Sequence, residues 1–141
     1  MSFTLDMTRA VKNIKENTLE VVRGTIFGVS SRIIKATPVG NPALWKSPAP
    51  KGYIGGTLRG AWSATIGAPD HTPKNSKDKT GGATISDMAT TAESVKIGQT
   101  FYLSNAQPYA RRVEFGWSHI QRPAAMVRVS VASTQAVVDA L

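Results

Sequence analysis

The feature that most constrains this chain is a run of apolar residues at helical spacing across residues 4–36. Met7, Val11, Ile14, Thr18, Val22, Ile26, Val29 and Ile33 recur at steps of three or four, the period of one helix face. Lys12, Lys15, Glu16, Glu20 and Arg23 fill much of the opposite side. Thr4 is placed to cap the helix and Asp6 to favour its dipole. Pro38 sets the stop, because the residue before a proline avoids helical geometry. A helix of about thirty residues is long for one small domain. It needs a partner along much of its length, either its own sheet or a neighbouring subunit. Gly24 and Gly28 form a GxxxG pair that is predicted to permit close packing on a sheet.

The chain has 141 residues, enough for a single domain spanning residues 1–141. Cysteine is absent, which excludes disulfide staples, thiolate nucleophiles and thiolate metal sites. Two histidines, His71 and His119, leave little for a metal centre or a histidine-based catalyst. No apolar run approaches the ~18 residues of a membrane span, and the opening MSFTLDMTRA lacks a signal-peptide pattern. The expectation is a soluble, cytoplasmically made protein without membrane partners. The net charge of +8 is concentrated in the middle: residues 32–79 hold 8 basic and 2 acidic groups. Such a segment is attracted to phosphates or acidic protein surfaces, or simply keeps a loop solvated.

Residues 37–60 contain five Gly and four Pro, too dense for a regular element to last. Leu44, Trp45, Tyr53, Ile54 and Leu58 are interspersed there, so this loop is expected to lie against something. A strand is predicted to start near Leu58, with residues 61–67 as its body: Trp62, Ala64 and Ile66 alternate with Ser63 and Thr65. Residues 68–93 are polar, with Lys74, Lys77 and Lys79 at their centre. They read as a flexible basic arm or hairpin. Short strands are predicted at 94–98 and 100–104. Residues 108–116 read as a two-turn helix, with Pro108 at its first position and Gly116 just past its end. Residues 124–140 read as a last helix, although Val127, Val129 and Val131 also alternate, so a strand at 126–131 stays open. The expected fold is α+β: a long N-terminal helix and C-terminal helices packed on a small antiparallel sheet, with long loops.

No catalytic constellation emerges. KGYIGG at 51–56 is glycine-rich but lacks the Lys-Ser/Thr ending that holds a nucleotide, and no cofactor is expected. Glu114 is the one acid in an apolar, aromatic setting. It is expected to pair with Arg111 or Arg112, or to tie the short helix to a loop. Arg59, Arg111 and Arg112 suit phosphate, carboxylate or intersubunit pairing.

Two stretches resemble a known family. TPVGNPALWKSPAPKGYIGGTLRGAW (37–62) is similar to the first signature of the tail-completion proteins of long-tailed bacteriophages, also called head–tail joining or neck proteins. FYLSNAQPYARRVEFGWSHIQRPAAMVRVSV (101–131) is similar to their second, in which a strand ending in Ser-Asn leads to Pro-Tyr-Ala, Val-Glu and Gly. Together the stretches cover 57 of 141 residues. In the first, this chain inserts a segment ending in KGYIGG, and GGTLRG takes the matching role.

The resemblance implies a structural, non-catalytic virion protein at the head–tail junction. It implies a ring, commonly of six copies, around the DNA channel. The implied partners are further copies of itself, the tail-tube or terminator protein and the head-side connector. DNA in the channel would be met without sequence specificity. On this reading Pro38, Gly56 and Gly60 shape the turn into the strand, and Leu58 and Trp62 pack between sheet and helix. Arg59 projects towards a neighbour. Asn105 bridges the strand end, Tyr109, Val113 and Phe115 enter the core, and Glu114 and Gly116 hold the end of the short helix. The candidate interface is the proline-rich loop, with Trp45 and Tyr53, and the lysine arm. The alternatives are a tail terminator, a minor capsid protein or a small basic DNA-binding module.

Overall fold

A computed structural model describes residues 3–40, 47–116 and 125–141. The architecture is mixed α+β and mostly helical. Helix α1 (Phe3–Ala36) is followed by a single helical turn, α2 (Thr57–Gly60), and strand β1 (Trp62–Ile66). Helix α3 (Gly82–Glu93), strand β2 (Phe101–Asn105) and helices α4 (Ala110–Phe115), α5 (Met126–Ala132) and α6 (Thr134–Asp139) complete the order. β1 and β2 pair antiparallel, from Trp62 opposite Asn105 to Ile66 opposite Phe101.

At ~1.5 Å per residue, the 34 residues of α1 span roughly 50 Å. Only the C-terminal part packs inward. Ile33 and Ile34 are buried with Leu58, Trp62, Met88, Ala92 and Met126 in one core, and Ile26 and Val29 flank it. The N-terminal part does not: Met7, Val11 and Ile14 are 48%, 44% and 64% exposed. The continuous period is therefore real, but the described residues supply a partner for less than half of it. Thr4 lies inside the helix, its carbonyl taking the Thr8 hydroxyl (2.9 Å), rather than capping it.

The GxxxG pair serves a helix instead of a sheet. A β-carbon added to Gly24 would stand 2.7 Å from Leu141, and one on Gly28 would stand 2.3 Å from Val137. These glycines bring α1 against the C-terminal segment, where α6 buries Val137. The predicted final helix is broken at Ser133 into α5 and α6, and residues 126–131 are helical.

Three further expectations need correction. The strand does not begin at Leu58; that residue lies in α2, entered through Gly56 at φ +99°. Residues 68–93 are not one flexible arm, because 82–93 form α3 and bury Thr84, Met88 and Ala92. Residues 94–98 form no strand: Val95 is buried, Ile97 is 55% exposed, and Gly98 turns at φ +89°.

The polar segment before α3 is fixed by Asp78. Its carboxylate accepts hydrogen bonds from the Gly81 N–H (2.9 Å), the Thr84 N–H (2.9 Å) and the Thr84 hydroxyl (2.8 Å). Burial pushes this carboxyl up, but the bonds from Thr84 and Gly81 outweigh it and hold it below the usual range. These bonds do the work of an N-cap, satisfying first-turn donors of α3. Asp78→Ala is expected to lower stability by about 1–2 kcal/mol, read as a lower urea midpoint.

Candidate assembly site

The two stretches that carry the family resemblance meet at the start of β1. Asn105 ends β2, and its Nδ2 donates to the Leu58 carbonyl (2.8 Å) while its Oδ1 accepts the Gln107 N–H (3.2 Å). One side chain thus links α2 to the turn before α4. Leu58 and Trp62 are buried between β1 and α1. The indole Nε1 of Trp62 donates to the Thr37 hydroxyl (2.8 Å), which itself donates to the Ile33 carbonyl (2.8 Å). Gly60 permits the loop to pass: a β-carbon there would stand 2.2 Å from the Ser76 carbonyl oxygen.

Arg59 does not project towards a neighbour. Its Nε and Nη2 donate to the Thr37 carbonyl (3.0 and 2.6 Å), Nη2 also reaches the Lys35 carbonyl (3.1 Å), and Nη1 bonds the Lys79 carbonyl. The planar guanidinium thereby closes the end of α1 onto both loops. Lys74 also turns inward, with Nζ 3.4 Å from the Trp62 carbonyl, and the Gln107 amide donates to the Lys74 carbonyl. Of the three lysines proposed as an arm, Lys77 and Lys79 remain exposed. Trp45 lies outside the described residues.

Pro38, Val39, Tyr53, Leu58, Tyr109 and Val113 line an open apolar groove of about 490 Å³. Tyr109 and Val113 pack against the core as predicted from sequence, whereas Phe115 is 57% exposed. Burial, then the neighbouring Tyr53, pushes the Tyr109 phenol above its ordinary value. Pro108 is not the first residue of the helix. α4 begins at Ala110, whose N–H closes a turn onto the Gln107 carbonyl (3.0 Å). Gly116 ends it at φ +92°.

Glu114 pairs with neither Arg111 nor Arg112 but with Arg128, at 3.2 Å. Its two oxygens accept the Val127 and Arg128 N–H groups, each at 3.0 Å. Arg128 Nη2 donates to the Glu114 carbonyl (2.8 Å). The acid is buried among these donors at the first turn of α5. That fixes α4 to α5 across the intervening segment. Phe115 stands beside it, with the Arg128 guanidinium 4.6 Å and the Arg111 guanidinium 6.0 Å from its ring centre. Arg111 and Arg112 are exposed.

Burial pushes the Glu114 carboxyl up, yet the bonds from Val127 and Arg128 outweigh it and lower its pKa from 4.5. The folded state therefore binds this proton less readily than the unfolded chain. The stabilisation is complete above the unfolded value and is lost as pH falls through the lower folded value. Urea midpoints are expected to drop on acidification below about pH 4.5, and Glu114→Gln to show less of that drop.

The sequence reasoning missed Thr37, Asp78 and Arg128, which complete these junctions. The signal for Asp78 was its place ahead of Gly81 and the helical step from Ile85 to Met88 to Ala92. Among the described residues, no three of His, Cys, Asp and Glu gather as a metal site, and no helix is long and apolar enough to cross a membrane. Comparison with protein-family models, curated proteins and solved structures finds no match.

Proposed function

We propose that this chain is a structural, non-catalytic protein of the bacteriophage neck. It forms a ring at the virion's head–tail junction and contacts the tail-tube or terminator protein on one side and the head connector on the other. The observation that carries the reading is α1. Its first twenty or so residues hold out an apolar stripe that includes Met7, Val11, Ile14 and Val21, all more than two-fifths exposed. Exposed apolar surface of this extent marks a place where another molecule packs. The resemblance of residues 37–62 and 101–131 to the neck family supplies the kind of assembly. The net charge of +8 suits a place near DNA.

Complementation in extract tests the reading. Purified protein is added to a lysate of the source phage lacking this gene, and infectious particles are counted. The expected result is a rise in titre that saturates with added protein. No rise, with a protein that is folded by circular dichroism, contradicts the reading.

A further inference from the structure

The stripe on α1 and a groove beside it make two different, complementary surfaces. At about 100° per residue, Met7, Val11, Ile14, Thr18 and Val21 fall on one face about 80° wide. Arg9, Lys12, Glu16 and Glu20 lie on the far side of the helix. Two charges border the stripe, Lys15 on one flank and Asp6 on the other. Further along α1, where it meets α3, Gly24, Phe27, Ala89 and Ala92 line an open groove of about 290 Å³. Glu93 and Arg23 also line it. Phe27 forms a wall that is 44% exposed, and Arg23 is held in place by its Nε donating to the Val95 carbonyl (2.9 Å).

We propose that the N-terminal half of α1 from one copy seats its stripe in the α1–α3 groove of the next copy. This rests on the ring reading above and names the contact that builds the ring. Ala89 presents only a methyl group at the groove, which lets a helix approach closely. The border charges match: Lys15 meets Glu93, and Asp6 meets Arg23. Because donor and acceptor are different surfaces, the contact is head-to-tail, the kind that closes rings. Pairing stripe to stripe in antiparallel fashion about Ile14 instead sets Lys15 against the second copy's Lys15, a like-charge contact. A single helix seated over roughly 25 Å buries less than a stable interface of about 1,200 Å² needs. Each copy makes the contact twice in a closed ring, and closure sustains it.

The chain has no cysteine, so introduced ones report contacts cleanly. Full-length Ile14→Cys and Ala89→Cys proteins are mixed, oxidised with a mild oxidant, and resolved without reductant. The expected result is a mixed disulfide well above that of a urea-denatured control, with little self-linking of Ile14→Cys alone. Lys15→Glu is expected to reduce the mixed yield about threefold, and adding Glu93→Lys in the partner to restore it. Absence of the mixed product, or self-linking of Ile14→Cys as efficient as the mixture, overturns the seating. The ring itself is judged separately, by imaging assembled particles, so the seating can fail while the ring reading stands.

Discussion

Glu114→Ala is expected to lower the unfolding free energy by about 3 kcal/mol. The carboxylate is buried and accepts two main-chain N–H groups and the Arg128 guanidinium. Removing it strands the Val127 and Arg128 N–H groups at the start of α5 and leaves Arg128 without its carboxylate. A charged acceptor lost to several donors costs more than an ordinary hydrogen bond. Arg128 is itself half-exposed, so water recovers part of its share, which keeps the effect below that of a fully buried ion pair. Glu114→Gln retains one acceptor oxygen and should lose about half as much. Urea denaturation followed by circular dichroism reads both. A change below about 1 kcal/mol for the alanine variant shows that the Glu114 cap does not hold α4 to α5.

The second large effect is at Gly60. Its added β-carbon would lie 2.2 Å from the Ser76 carbonyl oxygen, 2.8 Å from the Ser76 carbonyl carbon and 3.0 Å from the Asp78 nitrogen. All three are main-chain atoms, so no rotamer relieves the overlap. The loop must move, and with it the Asp78 bonds to α3. Gly60→Ala is expected to cost about 3 kcal/mol. Gly82→Ala is the matched control, because its β-carbon meets only the Thr80 hydroxyl oxygen, at an ordinary 3.5 Å. That variant should stay within about 0.5 kcal/mol of the parent. Equal stability of the two variants would mean that the loop carrying Ser76 does not pass so close to α2.

What the sequence made legible follows the strength of local signals. α1 was read nearly to its ends because its period holds for eight apolar or threonine positions and Pro38 stops it. β1 and β2 were read from alternation at Trp62, Ala64 and Ile66 and from the compact run Phe101–Asn105. α3 was missed because Thr84, Ser86, Asp87, Thr90 and Thr91 dilute its stripe. Its stability comes from Met88 and Ala92 in the core and from Asp78 four residues before its start, neither of which shows as a local propensity. Val95 and Ile97 looked like one face of a strand, but a turn closed by the Gln99 N–H on the Lys96 carbonyl (3.1 Å) puts Ile97 in solvent while Val95 stays buried.

The site shows the same division. Motif positions whose role is packing or turning, such as Leu58, Trp62, Tyr109 and Gly116, sit where their chemistry suggested. Asn105 bridges the strand end as expected, through the Leu58 carbonyl, but two charged side chains find partners other than those expected. Arg59 folds back on three carbonyls from two segments far away in sequence, and Glu114 finds Arg128 rather than its nearer arginines. Long side chains choose partners by tertiary geometry, which spacing along the chain does not encode. The surface that carries the proposed function, the outer half of α1, was legible as a stripe in need of a partner. That the described residues leave the stripe uncovered emerges only from the fold.

The most direct test of the neck assignment is electron microscopy of lysates after deletion of this gene from its source phage or prophage. The account predicts DNA-filled heads beside separate, full-length tails. Normal joined, infectious particles would contradict it, and overlong or ragged tails would move the protein from the joint to the end of the tail tube.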